Sequence, residues 1–335
     1  MHRLILLAAV TVLALPAQTK KILAYNMSPA DVQDYQSVSN KVKIVPVGKQ
    51  DVMREIGDAD AFIGNITPEM VRAGKRLKWV AVRSAGVEQV LYLSGGNDLR
   101  DSNIVLTNNQ IVQGPEIADH ALAMLLALTR RIPHFIEMDK SGKWVGDRTG
   151  LLELRGKTAV IIGVGGIGLQ IATRAWAFGM TVIGVDPEDM PMNPFVSRYV
   201  KPDQLNEVLP LADVVFISAP HTEKSHKMMG PSQFDLMKQG SFFIAVSRGG
   251  IYDLPSLVKG LDSKRLAGAG VDVTDPEPLP EGHALFKFSN AIVTPHIAGR
   301  SDRDAERMTD TIKENIRRFA EGLPFINVVD KQKGY

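Results

Sequence analysis

Three ionisable side chains in the second half of the chain could together bind an anion and move a proton. Arg248, Glu277 and His296 each come shortly after a run of apolar residues of strand-like composition. The runs are residues 242–246, 267–271 and 291–293. Because ligands of parallel sheets bind at the carboxyl ends of the strands, we expect the three side chains to share one site. A guanidinium binds a carboxylate through two parallel hydrogen bonds, and an imidazole exchanges protons near neutral pH.

A glycine-rich segment before these residues has the spacing of a dinucleotide-binding loop. Gly163, Gly165 and Gly168 follow the apolar run 158–162 and lead into an amphipathic helix over residues 166–178. The first glycine allows a tight turn, the second lets the backbone approach a pyrophosphate, and the third permits close packing of helix on strand. The free N–H groups at the start of the helix would then bind the anion.

An acid stands where a dinucleotide-binding fold needs one. Asp186 ends the run 181–185 and lies 18 residues after Gly168, a position from which it would bind the ribose hydroxyls. Its charge would repel a 2′-phosphate, and so the sequence predicts NAD rather than NADP. The other residues predicted to contact the cofactor are Gly166, Ile167, Pro220, Thr222, Ser247 and Asp272. For Asp272, a supporting role behind the site and an ordinary acid at a sheet end stay open as alternatives.

The composition is that of a soluble globular chain without a polyanionic partner. Of the 335 residues, 44% are hydrophobic and 23% are charged, and the formal net charge is +2. This balance gives no indication of nucleic-acid binding. Cysteine is absent, which excludes disulfides, thiolate metal sites and a cysteine nucleophile. No histidines or acids show metal-ligand spacing, and so we predict no metal.

Apolar runs and helix-like stretches alternate along the chain in two series, which predicts an α/β fold with two doubly wound parallel sheets. Examples of the apolar runs in the first series are residues 21–25, 43–47, 61–63 and 79–83. The strands of the second series are predicted at 158–162, 181–185, 214–218, 242–246, 267–271 and 291–293. A mostly apolar helix over 114–131 separates the series. We assign residues 18–116 and 301–335 to a discontinuous substrate domain and 117–300 to a cofactor domain.

The first 17 residues have the order of a secretory signal. Arg3 precedes twelve largely apolar residues, and Pro16 and Ala17 supply a turn and a small residue at a cleavage site. The apolar run is too short to span a bilayer easily, so no stable membrane span is expected after cleavage. Export to the periplasm or the medium is therefore expected if the leader is cleaved, and a cytoplasmic location if it is not.

Taken together, the motifs resemble those of the D-isomer-specific 2-hydroxyacid dehydrogenases. The matching segments include the glycine loop at 163–168, the strand ends at 247–250, 270–279 and 294–299, a loop at 84–87 and a helix segment at 118–121. The resemblance covers about residues 21–330. It implies two Rossmann-like domains with a cleft between them, NAD as cofactor, a small 2-hydroxy or 2-keto acid as substrate and usually a homodimer.

The resemblance also implies roles for individual residues. Arg248 would bind the substrate carboxylate and carbonyl, His296 would supply the proton, and Glu277 would hold the imidazole and favour its protonated form. The residues implied to hold the substrate carboxylate from the other domain are Ser84, Ala85, Gly86 and Val87.

Three functions remain open from the sequence. The first is an oxidoreductase that moves a hydride between nicotinamide and a 2-hydroxy or 2-keto acid, of the D-2-hydroxyacid dehydrogenase or glyoxylate and hydroxypyruvate reductase type. The second is an NAD(H)-sensing binding protein without significant catalysis, as in related corepressors. The third is a different reaction on the same fold, such as formate oxidation. Retention of Arg248, Glu277 and His296 favours the first, although a corepressor can retain them too.

Overall fold

The computed structural model describes residues 19–144 and 146–335. The predicted leader at residues 1–17 therefore lies outside the described residues. The described chain forms two α/β domains, each built on one parallel sheet. Within these ranges, no helix combines the length and the apolar character needed to cross a membrane.

Five short strands form the sheet of the first domain. They are β1 (Lys20–Tyr25), β2 (Val42–Val47), β3 (Ala61–Ile63), β4 (Trp79–Ala81) and β5 (Val105–Thr107), flanked by α1 (Pro29–Gln36), α2 (Val52–Glu55), α3 (Pro68–Ala73) and α4 (Glu88–Leu91). The strands are parallel in the order β2-β1-β3-β4-β5. The central strands β3 and β4 are fully buried, which explains why they are apolar throughout instead of alternating.

A long helix then carries the chain into the second domain. Helix α5 (Gly114–Thr129) is followed closely by α6 (Ile132–Lys140). Ten of the sixteen residues of α5 are buried, and its apolar side chains pack in one core with strands of the second domain. By contrast, α6 has no buried residue. Helix α5 is thus a buried support for the second domain, and α6 lies on the surface of the protein.

Seven parallel strands form the second sheet. They are β6 (Thr158–Ile162), β7 (Thr181–Val185), β8 (Arg198–Val200), β9 (Val214–Ile217), β10 (Ser241–Ala245), β11 (Leu266–Val271) and β12 (Ala291–Val293), with α7 (Gly166–Ala177), α8 (Leu205–Val208), α9 (Pro231–Leu236) and α10 (Leu254–Asp262). Their order is β12-β11-β10-β9-β6-β7-β8. The direction of winding reverses between β6 and β9, and at such a switch point a crevice opens at the carboxyl ends of the strands.

The last helix returns to the first domain. Ile312, Ile316 and Phe319 of α11 (Asp304–Glu321) pack in one core with Ile22 and Trp79 of the first sheet. The chain beyond α11 stays there as well, because Val329 N donates to the carbonyl of Leu106. The Lys331 ammonium then donates to the carbonyls of Leu99, Ser102 and Ile104. The chain therefore enters the first domain twice.

The predicted fold class, two Rossmann-like α/β domains, is confirmed. The sequence predicted six strands in the second series, and the second sheet has seven. Strand β8 was missed because it begins with an exposed arginine, Arg198, and therefore has no continuous apolar run. Strand β5 was not identified from the sequence either. Between the domains lies a cleft of about 1610 Å³ lined by residues of both.

Candidate active site

The glycine loop at the end of β6 has the close contacts that require glycine. Gly163 has φ +86°, and a Cβ there would lie 2.4 Å from the Ala219 Cα. A Cβ on Gly168 would lie 2.0 Å from the Gly163 carbonyl oxygen. At Gly165, in contrast, a Cβ would meet nothing within 4 Å, so this backbone faces open space. The loop thus turns tightly on its inner side and leaves its outer side accessible to a ligand.

The first turn of α7 completes this anion site. Gly166 and Ile167 line the cleft, where helix N–H groups without intrahelical partners favour negative charge. A Cβ on Gly166 would lie 2.7 Å from the Cα of Ile111, which belongs to the segment that links β5 to α5. The absence of a side chain at Gly166 therefore lets the two parts of the chain meet beside the phosphate loop.

Asp186 is fixed at the end of β7. Its carboxylate accepts hydrogen bonds from the Val164 amide at 2.7 Å and from the Glu188 amide at 2.9 Å. The side chain lines the cleft although the residue is only 9% exposed. Each oxygen keeps a free lone pair, because a carboxylate oxygen can accept two hydrogen bonds. The geometry fits acceptance of ribose hydroxyls.

The four remaining residues predicted to bind cofactor also line the cleft, namely Pro220, Thr222, Ser247 and Asp272. The Ser225 hydroxyl ties the first two together, since it donates to the Pro220 carbonyl and accepts from the Thr222 amide. The hydroxyl of Ser247 is buried and has no partner in the described part of the chain. A buried polar atom without a partner is expected where a bound group supplies one, so the cleft fits a dinucleotide.

Asp272 holds the loop that carries His296. One oxygen accepts from the Thr294 hydroxyl at 2.6 Å and from the Ile297 amide at 2.9 Å, and the other accepts from the Ala298 amide at 2.9 Å. The supporting role left open by the sequence is therefore present in the structure. One acceptor position remains on this carboxylate, so its contact with a cofactor stays a prediction.

His120 extends this network from α5. Its Nε2 lies 2.9 Å from the Thr294 hydroxyl oxygen. Because that hydroxyl donates its proton to Asp272, His120 must be the donor in this pair. His120 therefore carries its proton on Nε2 and supports the loop of His296 from behind.

His296 and Glu277 form a pair at the end of the second sheet. The Nδ1 of His296 lies 2.9 and 3.1 Å from the two carboxylate oxygens of Glu277. Since the carboxylate accepts, Nδ1 carries a proton and Nε2 is the atom left to exchange one. His296 lines the cleft and has φ +54°, an uncommon value for a residue other than glycine. Its amide donates to the Asp272 carbonyl at 2.8 Å, which helps to hold this conformation.

Arg248 follows β10 and is held by two contacts. Its Nε donates to a carboxylate oxygen of Glu88 at 2.5 Å, and one terminal nitrogen donates to the Ser247 carbonyl at 2.7 Å. Glu88 begins α4 in the first domain, so this ion pair crosses the cleft. Glu88 could not be predicted from the sequence, because the pattern of one domain does not show which residues of the other domain lie opposite it.

The loop after β4 presents its amides and keeps its carbonyls occupied. Asn108 and Asn109, which follow β5, donate through their side chains to the carbonyls of Ala85 and Arg83. The Asn109 amide donates to the Ser84 carbonyl, and the Ser84 hydroxyl donates to the Gly86 carbonyl. Over the described chain, no amide of residues 84–87 donates to another group. A loop of this kind offers N–H groups to an anion.

Gly86 brings this loop against Arg248. A Cβ on Gly86 would lie 2.1 Å from an Nη atom of the guanidinium. The structure therefore brings the predicted substrate loop, Arg248, His296 and the phosphate loop to one cleft, with Glu277 behind His296. The two asparagines could have been found from the sequence had β5 been recognised, because they stand at its carboxyl end.

Another histidine, His221, lines the cleft beside His226. His221 Nε2 lies 3.0 Å from His226 Nδ1. Burial, and then the neighbouring His226, hold the pKa of His221 below its usual value. Both effects favour the neutral form of the His221 ring.

A second contact across the cleft lies near Asp186. The Lys333 ammonium and the Tyr335 hydroxyl both donate to one oxygen of Glu188, at 2.7 and 2.9 Å. Burial and the charge of Glu188 raise the pKa of the Tyr335 hydroxyl, which stays protonated. These residues line the same cleft, so the chain after α11 forms part of its wall.

Comparisons with known proteins agree with this geometry. Residues 122–298 match the family model described as D-isomer specific 2-hydroxyacid dehydrogenase, NAD binding domain. The chain is 31% identical over 323 residues to a D-3-phosphoglycerate dehydrogenase of Archaeoglobus fulgidus, which covers 92% of this chain and 59% of that relative. The chain thus spans less than two thirds of that relative's length.

Two further proteins are matched nearly end to end. A glyoxylate reductase of Korarchaeum cryptofilum is 30% identical over 301 residues, covering 86% of this chain and 87% of that one. A crystal structure of a D-isomer specific 2-hydroxyacid dehydrogenase family protein from Aeromonas salmonicida has a TM-score of 0.76 at 26% identity and covers 94% and 99% of the two chains. The prediction of NAD as the type of cofactor is confirmed by the matched domain.

Asp186 should determine the choice between NADH and NADPH. We expect the wild type to bind NADH at least about ten-fold more tightly, because the carboxylate repels a 2′-phosphate. Asp186→Ser should narrow this difference, whereas Asp235→Ser, which removes an exposed acid from α9, should not. Fluorescence titration with both nucleotides measures the two dissociation constants. Tighter binding of NADPH by the wild type would contradict the assigned role.

Proposed function

The chain belongs to the D-isomer-specific 2-hydroxyacid dehydrogenases, and on this premise we propose that it reduces a small 2-keto acid to the D-2-hydroxy acid with NADH, or catalyses the reverse oxidation. One observation carries the proposal. Anion-binding amides, a guanidinium and a carboxylate-bound imidazole belong to one cleft that also contains a dinucleotide loop. Each group matches one requirement of the reaction.

The substrate carboxylate is bound from both sides of the cleft. The free amides of residues 84–87 approach from the first domain, and the terminal nitrogens of Arg248 approach from the second. Hydrogen bonds between charged partners are stronger than neutral ones, so this arrangement selects an acid. The guanidinium also polarises the adjacent carbonyl, because its positive charge stabilises charge that develops on the oxygen.

His296 provides the proton for the reduction. A nicotinamide cofactor held by the glycine loop and Asp186 would supply the hydride for the carbonyl carbon. The Nε2 of His296 gives a proton to the carbonyl oxygen. Glu277 accepts the hydrogen bond from Nδ1 and orients the ring, so that Nε2 faces the substrate. In the oxidation the same nitrogen removes the hydroxyl proton.

Replacement of His296 separates catalysis from cofactor binding. His296→Ala should lower the turnover of 2-keto acid reduction by roughly 10²–10⁴-fold, because the proton donor is lost. The affinity for NADH should stay within about two-fold, since the imidazole is not part of the phosphate loop or of the Asp186 site. A panel of 2-keto acids that includes glyoxylate, pyruvate and hydroxypyruvate, with NADH, measures turnover, and fluorescence titration measures binding.

His283→Ala serves as the matched control, because His283 caps a short helical turn by accepting from the Leu285 amide and lies outside the cleft lining. This variant should keep near-wild-type turnover. If the wild type reduces none of the acids, or if folded His296→Ala remains fully active, the proposed mechanism is wrong. NADH binding without turnover would instead favour the cofactor-sensing alternative.

We also propose that the protein is a homodimer and that α6 contributes to the interface. Ile132 and Ile136 of this helix are 45% and 48% exposed, and Trp144 shortly after it is fully exposed. Large apolar side chains grouped on a helix with no buried residue favour a covering partner. The usual dimeric state of the family supports a second copy of this chain as that partner.

A charge on α6 should weaken the dimer. We expect light scattering after size-exclusion chromatography to give twice the mass of one chain for the wild type. Ile136→Asp should shift the protein toward the monomer, because the carboxylate would be buried without a partner. Leu211→Asp, at a residue 49% exposed in the second domain, should remain dimeric. A monomeric wild type would refute this proposal.

Export is a separate proposal that rests on the sequence of residues 1–17. The basic start, apolar run and small residue at position 17 support cleavage by a signal peptidase. Sequencing the N-terminus of the protein from its native cell should show a chain that begins near Gln18. An intact Met1 on protein from the cytosol would refute export.

A further inference from the structure

We propose that Glu88 is the positioning residue of Arg248: from the opposite domain it holds one edge of the guanidinium so that the other edge faces the substrate carboxylate. The inference rests on the proposed function, because Arg248 is the group that binds the acid there. It adds a specific partner from the first domain to the site that the glycine loop, Arg248, Glu277 and His296 define.

The contact is short and shielded from water. Arg248 Nε lies 2.5 Å from one carboxylate oxygen of Glu88, and the two side chains are 28% and 15% exposed. In the described chain, no other cation pairs with Glu88 and no other acid pairs with Arg248. A charge pair that is mostly removed from water is weakened less by salt than an exposed one. Loss of either partner leaves a partly buried charge without compensation.

The pair uses only part of the guanidinium. A guanidinium has five N–H donors: one on Nε and two on each terminal nitrogen. The Nε–H group donates to Glu88, and one N–H group of a terminal nitrogen donates to the Ser247 carbonyl. The other three donors remain on the two terminal nitrogens, which together form the terminal edge of the guanidinium. This edge can therefore bind a carboxylate without displacing Glu88, and the acid acts as a support instead of a competitor.

The free edge lies against the loop that binds the other side of the substrate. An Nη atom of Arg248 would lie 2.1 Å from a Cβ at Gly86, and an oxygen of Glu88 would lie 2.5 Å from the same point. Glu88 follows directly after residues 84–87, whose amides are free to bind an anion. Holding Arg248 through Glu88 thus fixes the distance between the two groups that share one carboxylate.

Without the contact to Glu88, the long side chain of Arg248 would become ordered only when the substrate binds. Arginine has large rotamer entropy, and ordering it on binding costs free energy each time. Glu88 orders Arg248 before the substrate arrives and does so across the cleft. The pair therefore favours the arrangement of the two domains in which loop amides and guanidinium converge.

Kinetics of two Glu88 variants test the role. Glu88→Gln keeps an acceptor for Nε without the charge, and Glu88→Leu removes both. We expect kcat/KM for the best 2-keto acid of the panel to fall in the order wild type, Gln, Leu, by about ten-fold in the Leu variant, with most of the change in KM. The NADH dissociation constant should not change. Glu69→Gln, at an exposed acid of α3, is the matched charge control and should resemble the wild type.

A second measurement needs no turnover. Phenylglyoxal modifies arginine, and peptide mass spectrometry follows the rate at Arg248 with the exposed Arg198 as internal reference. The rate at Arg248 relative to Arg198 should rise in both Glu88 variants, because the guanidinium loses its cross-domain partner. If the wild type reduces no keto acid, the proposed function fails while this contact can still be confirmed.

Two results would overturn the inference. A lower KM in the variants would show that Glu88 competes with the substrate carboxylate. Unchanged kcat/KM together with unchanged labelling of Arg248 would show that the pair does not hold the guanidinium in solution. In either case His296→Ala would still test the proposed reaction by itself.

Discussion

The site depends on one constraint: both sheets are parallel, and their carboxyl ends open onto the same cleft. Every strand that contributes to the site therefore delivers its following residues to one place. In the second domain these are the glycine loop, Asp186, Arg248, Asp272 and His296. In the first domain the loop at 84–87 and Asn108 arrive in the same way. A reaction that needs cofactor and substrate side by side suits this geometry, because neither sheet alone could surround both.

Hydrogen bonds behind the cleft then fix the orientation of each working group. Asp272 binds the loop of His296 through three donors, and Glu277 sets which nitrogen of His296 exchanges a proton. The side chains of Asn108 and Asn109 donate to the carbonyls of Ala85 and Arg83, while the amides of residues 84–87 remain free to bind an anion. These supports are preformed in the folded chain, which reduces the reorganisation needed when substrate binds. Two contacts across the cleft, at Glu88 and at Glu188, connect the domains near its two functional parts.

Much of this arrangement could be predicted from sequence because it is local. The strand before Gly163 is readable as an apolar run and the helix after it as an amphipathic pattern. The polar residues at strand ends follow from the parallel topology. Strands β5 and β8 were not identified from the sequence, and β8 has no continuous apolar run because it begins with the exposed Arg198. The pairing of Arg248 with Glu88 and of Lys333 with Glu188 could not be predicted, since such contacts depend on how two separately patterned domains meet. The positive φ of His296 depends in the same way on tertiary contacts with Asp272.

The central claim is a direct hydride transfer to the carbonyl carbon of a 2-keto acid with the D configuration as the outcome. It is tested most directly by reduction of pyruvate or hydroxypyruvate, whichever is reduced faster, with NADH deuterated at both C4 positions. The account predicts a product with one deuterium at C2 and the D configuration, analysed by mass spectrometry and chiral chromatography. A product without deuterium at C2, or with the L configuration, would contradict it.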